Sequence, residues 1–165
     1  MPIIYSFPFT KVPLESGTAF RPILTCRLSG PSVTVPAEML LDSGADSSIV
    51  GRALAETLGL ALTRTHGGRG VSGRVPVRRS RIVVEIRHGT EWLSPTSVPV
   101  EVPVRGAPPL AILGREGVFE VFDILFQLGV VPDRGMFHLV PHESPRRRLP
   151  GHRAGIRRRH RTVAG

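Results

Sequence analysis

The stretch Met39-Leu40-Leu41-Asp42-Ser43-Gly44-Ala45-Asp46-Ser47-Ser48-Ile49-Val50 is the most informative in the chain. Three apolar residues read as the end of a strand that delivers Asp42 to a turn. Ser43 can bond nearby backbone groups, and Gly44 permits a tight approach or an unusual backbone angle that a side chain would oppose. Taken alone, Asp-Ser-Gly is also an ordinary turn, so the tripeptide supports a structural reading as well as a held carboxylate.

Outward from this point the chain alternates short strand-like runs with turns. Phe20–Leu28 and Val33–Leu41 flank Ser29-Gly30-Pro31-Ser32 and read as a hairpin. The residues from Ile49 to Leu60, IVGRALAETLGL, form the clearest short helix, with Leu54, Leu58 and Leu60 as packing residues and Gly59 near its end. Next, a glycine cluster at residues 67–73 gives way to Val75, Val77, Ile82, Val84 and Ile86, which suggests a long hairpin with a mobile tip. Trp92–Ala111 is threaded with prolines and is expected to supply extended or edge segments but no long central strand. Leu110–Leu113 reads as buried, residues 115–122 as a helical turn, and Phe122–Leu128 and Met136–Val140 as closing strands. The segment IIYSFPF near the start suits a sheet edge.

Composition agrees with a mainly β chain. The 165 residues are 41% hydrophobic, enough for one compact domain with a core, and 18 Gly with 16 Pro argue against a helical bundle. No apolar run approaches the roughly 20 residues of a membrane helix, and the start lacks a secretory pattern, so a soluble cytoplasmic protein without membrane insertion is expected. Cys26 has no partner for a disulfide and reads as a small buried hydrophobe.

The net charge of +9 is concentrated at one end. Residues 143–165 hold eight arginines against a single acid, Glu143, leaving only +2 for the first 142 residues. The expected organisation is a folded domain over 1–141 and a basic, disordered tail over 142–165. The tail can contact acidic partners or nucleic acid, but no stacking stripe or recognised binding motif supports anything sharper. His66, His88, His138 and His142 lack metal-ligand spacing and read as surface or packing residues, so no metal is expected. The glycine cluster lacks the Gly-Lys-Ser/Thr ending of a phosphate loop, and no cofactor is expected.

The segment Leu40–Val50 resembles the active-site segment of retropepsins, the single-domain aspartic proteases of retroviruses and their cellular and bacterial relatives. A second match follows some seventy residues on, where Ala111-Ile112-Leu113-Gly114-Arg115 is similar to the family's apolar pair, glycine and arginine before its C-terminal helix. A looser third match, Gly67-Gly68-Arg69-Gly70-Val71-Ser72-Gly73 with the strand after it, resembles the flap. Arg69, Ser72 and Arg74 stand there where smaller or apolar residues are usual.

The resemblance spans about residues 20–140 and implies a closed β-barrel of the acid-protease half-fold with one or two short helices. It implies that Asp42 is the catalytic aspartate, that Ser43 makes hydroxyl-to-backbone bonds bracing paired loops, and that Gly44 helps bind the substrate backbone. Ala45 and Gly114 would support the loop, and Asp46 would pair with Arg115 in a structural ion pair. Gly67, Gly68, Gly70, Val71 and Gly73 would belong to the flap, while Val50, Ile82, Val84 and Ile112 are subsite or core candidates.

Hydrolysis by this chemistry uses two carboxylates sharing a proton, and the chain contains one Asp-Ser-Gly, so a symmetric homodimer acting on protein or peptide substrates is implied. Two other readings stay open: a retropepsin-like module that binds peptides or assembles proteins with little turnover, and a nucleic-acid adaptor acting through the tail. In viral enzymes interleaved chain ends form part of the dimer interface; the additional 136–141 strand and basic extension here suggest an interface built differently.

Overall fold

A computed structural model describes residues 3–70, 73–106, 108–129 and 134–142. Val71 and, apart from its first residue, the basic tail therefore lie outside the described residues.

Six strands close into a barrel: β4 (Ile23–Ser29), β5 (Thr34–Leu41), β6 (Ser48–Ile49), β8 (Gly73–His88), β10 (Thr96–Pro103) and β11 (Ala111–Leu113). Their order is β10-β6-β11-β5-β4-β8, and β8 pairs back onto β10 over eight residues, from Thr96↔Val84 to Pro103↔Val77. Closure leaves no open edge within the ring.

Alternation decides which side chains fill it. Leu24, Cys26 and Leu28 on β4, Ile82, Val84 and Ile86 on β8, and Val98, Val100 and Val102 on β10 all point inward and are buried. The intervening residues face outward, as a period of two requires. Each fully buried aliphatic side chain contributes about 1.5–3 kcal/mol. Burial also pushes the Cys26 thiol up to about 12, so at neutral pH it is a protonated, apolar packing group. Of the four subsite or core candidates, Val50, Ile82 and Val84 are core, whereas Ile112 is only half-buried and pairs with Ile49.

Helix α1 (Arg52–Thr57) is shorter than the sequence suggests, because Ser48 and Ile49 are drawn into β6 beside Val100 and Glu101. It buries Ala55, and Leu58 just beyond it is fully buried. The expected strand from Phe20 to Leu28 is broken at Pro22. The residues before it form β3 (Gly17–Arg21), which pairs with β2 (Thr10–Leu14) in a separate ribbon. Pro22 has no N–H to continue a ladder, while its carbonyl accepts from the Leu41 N–H at 2.9 Å.

The proline-rich region departs from expectation in the other direction. β10 is eight residues long and has a neighbour on each side. Pro99 and Pro103 are tolerated because β6 pairs only with Val100 and Glu101, leaving both prolines outside the doubly bonded stretch.

A three-stranded sheet, not hydrogen-bonded to the barrel but packed into the same hydrophobic core, has β1 (Tyr5–Pro8) at one edge, β13 (Met136–Pro141) in the centre and β12 (Phe122–Gln127) at the other edge. Both ends of the described chain thus meet within one copy. Phe137 is fully buried and stacks on Phe7 at 5.3 Å, with Phe9 and Phe126 around it. His88 packs edge-on against Tyr5 and Phe7, a packing role that needs no charge. Among the described residues, no helix is long and apolar enough to cross a membrane.

Candidate active site

Asp42 follows the last residue of β5, at the point where β5 and β11 run parallel with Leu41 opposite Leu113. Its N–H donates to the Leu113 carbonyl at 3.0 Å, which fixes the loop's departure from the barrel. The chain then turns tightly: Gly44 N–H donates to Asp42 Oδ1 at 2.8 Å and Ala45 N–H to the Asp42 carbonyl at 3.3 Å. The carboxylate is therefore half-buried and oriented by its own loop, and Ser43 beside it is exposed.

The segment after β11 grips this loop from behind. Arg115 N–H donates to the Ala45 carbonyl at 2.8 Å and Glu116 N–H to the Asp46 carbonyl at 2.9 Å. The Arg115 guanidinium also donates to the Asp46 carboxylate through one nitrogen and one oxygen, rather than through a two-pronged contact.

Gly114 sits where a side chain has no room: an added Cβ would stand 2.5 Å from the Ser47 carbonyl oxygen. Its N–H donates to the Ser48 hydroxyl at 3.1 Å. Ser48 is fully buried, and this bond satisfies it. The helical turn expected after Gly114 is α2 (Arg115–Val118), which is irregular. Glu116 is extended, and Gly117 adopts φ +88° with its α-carbon close against Val98.

Opposite the loop, β7 (His66–Gly70) pairs with the start of β8 in the register Gly67↔Pro76, Gly68↔Val75 and Gly70↔Gly73. Between this hairpin and the Asp42 loop opens a hollow of about 430 Å³, walled by Gly44, Ala45, Asp46, Gly67 and Gly68 among others. Gly68 is buried against Val77 and the Glu101 carboxylate.

The structure thus brings together the Asp42 loop, the Gly114-Arg115 segment and the glycine hairpin, three parts separated by as many as 73 residues. Sequence reasoning missed Ser48, Ile49, Arg79, Glu101 and Glu116. Ser48 carried a faint signal as a small hydroxyl in the motif's second half. Nothing local signals that Arg79 and Glu101 meet, since their pairing arises from the β8–β10 register.

A protein-family model described as "Aspartyl protease" matches residues 24–116, more than half the chain. The chain belongs to this aspartyl protease family. Among solved structures, the EIAV protease complexed with the inhibitor HBY-793 is 26% identical, with 58% of this chain and 82% of that one covered and a TM-score of 0.38. A comparison with curated proteins returns no match.

Proposed function

We propose that the chain is an aspartic endopeptidase that works as a homodimer, with Asp42 of each copy facing the other across a two-fold axis. The observation that carries this reading is the Asp42 carboxylate, braced by Gly44 N–H at 2.8 Å on a loop beside a hairpin-covered hollow, in a member of an aspartyl protease family. One copy supplies one such aspartate, and peptide hydrolysis by this route requires two.

In the dimer the two carboxylates hold one proton between them, and the assignment belongs to the pair. The ionised member takes a proton from a bound water as its oxygen attacks the scissile carbonyl carbon. The protonated member donates to the carbonyl oxygen. Collapse of the tetrahedral intermediate expels the amine, which leaves with a proton, and no bond to the protein forms. The exposed Ser43 hydroxyl is available for bonds across the two-fold, and the β7–β8 hairpin supplies backbone groups for an extended peptide.

Incubation with a diverse peptide mixture from about pH 4 to about pH 8, at several protein concentrations, tests this reading. Cleavage should rise more than linearly with protein concentration and vanish in Asp42→Asn. A folded, dimeric protein that binds peptides but cuts none would instead be a peptide-binding module.

A further inference from the structure

The described side chains that line the hollow beside the Asp42 loop carry a charge opposite to that of the molecule. Its wall includes three carboxylates, Asp46, Glu101 and Glu116, and one guanidinium, Arg79. They arrive from separate elements: the β5–β6 loop, β10, the turn after β11, and β8. Arg115 neutralises Asp46 from outside. Arg79 neutralises Glu101, with Nε at 3.1 Å and Nη2 at 2.9 Å both donating to the same oxygen, Oε1.

The other oxygen, Oε2, takes neither bond and lies on the hairpin side, 3.2 Å from where a Cβ on Gly68 would stand. Glu101 is held by its two bonds from Arg79, and its side chain is only 14% exposed. Among the described residues no cation pairs with Glu116, which is exposed and lines the same hollow. A smaller hollow of about 120 Å³ continues the cleft and shares Ser47, Arg79, Glu101 and Glu116. After pairing, the described side chains that line the cleft keep one net negative charge, that of Glu116, in a chain whose formal charge is +9.

These walls discriminate among peptide side chains. A large apolar group would find Ile49 and Ala45 as partners while stripping water from two carboxylates, which is unfavourable. An acidic group would meet Glu116 and the spare oxygen of Glu101, with Arg79 already engaged. A guanidinium or ammonium gains charge-assisted bonds to both, and the planar fork of arginine, with several donors, suits two acceptors in one cleft.

We propose that this cleft selects peptides carrying an arginine or lysine side chain within a few residues of the cut bond, held by Glu116 and by Glu101 Oε2. The inference rests on the protease reading, since it takes the hollow as the path of the substrate.

The test uses fluorescent octapeptide pools in which one position is fixed as arginine or as citrulline, its neutral near-isostere, and the rest are randomised. Binding is measured to the dimeric Asp42→Asn protein, so the readout does not depend on turnover. Arginine should bind about tenfold more tightly than citrulline at one or two positions. The gap should narrow at high salt and fall below about threefold when Glu116→Gln is added. Equal binding of the two pools at every position, or no binding of any pool, overturns the inference. So does a preference that persists undiminished in both Glu116→Gln and Glu101→Gln.

Turnover of the same pools by the unmodified chain separates this proposal from the one beneath it. Arginine-dependent binding without any cleavage removes the protease reading and leaves the cationic subsite standing. Cleavage indifferent to arginine does the reverse.

Discussion

At Gly114 a single hydrogen atom decides whether the candidate site can assemble. A methyl group there would overlap the Ser47 carbonyl at 2.5 Å and crowd the Ala45 carbonyl at 3.0 Å, both backbone atoms of the loop that carries Asp42. Gly114→Ala should therefore cost about 3 kcal/mol in urea unfolding, as overpacked backbone contacts do. Gly67→Ala, where an added Cβ meets nothing within 4 Å, should stay within about 0.5 kcal/mol. Equal costs at the two positions would refute the steric account. The requirement for glycine at 114 was legible only as a pattern beside Arg115; its cause is a contact across nearly seventy residues. The Asp42 turn was legible because all its bonds are local, from Gly44 and Ala45 back to Asp42.

Strands β4 and β8 are locked by a cross-strand pair on the barrel's outer face. Arg27 lies opposite Glu85 and donates from Nε at 2.9 Å and from Nη2 at 2.7 Å, while its guanidinium carbon sits 4.6 Å from the centroid of Trp92 on the short strand β9 (Glu91–Trp92). The hydrogen bonds from Arg27 hold the Glu85 carboxyl below the usual carboxylate range, against the opposing effect of burial. A depressed carboxylate stabilises the fold above its unfolded-state pKa and loses that contribution as pH falls through its lower, folded-state value. Emission from Trp92, the only tryptophan, should therefore change below the usual carboxylate range as Arg27 is released, and in Glu85→Gln that acid step should be absent. An unchanged acid titration in the variant would show that the pair does not report on this strand contact. The β4–β5 hairpin was legible from its turn residues, and the β8 strand from its alternation. Neither the Arg27–Glu85 partnership nor the length of β10 was, because register between distant strands leaves no local trace. Pro22 shows the converse: a visible breaker inside an apolar run, overlooked because the residues on both sides still favour strand.

For the molecule as a whole, the mainly β class and the barrel's fixed points were readable from the Asp42 segment and its distant partner at Gly114. The joining of the two ends of the described residues was not, since β1 and β13 are separated by more than 120 residues. That separation makes the terminal sheet the costliest contact to form, and it should form late. Phe137→Ala should destabilise the protein by about 3–5 kcal/mol, mainly by speeding unfolding and leaving the refolding rate nearly unchanged in stopped-flow measurements. A matching slowdown in refolding would place the sheet in the folding nucleus instead. The same arrangement has a temporal side during synthesis. β1 emerges from the ribosome long before β13 exists, and at about 5–20 residues per second the interval is on the order of ten seconds. Throughout it Ile3, Ile4 and the aromatic residues after them have no sheet to join, so a chaperone or a neighbouring nascent copy has first access to that strand.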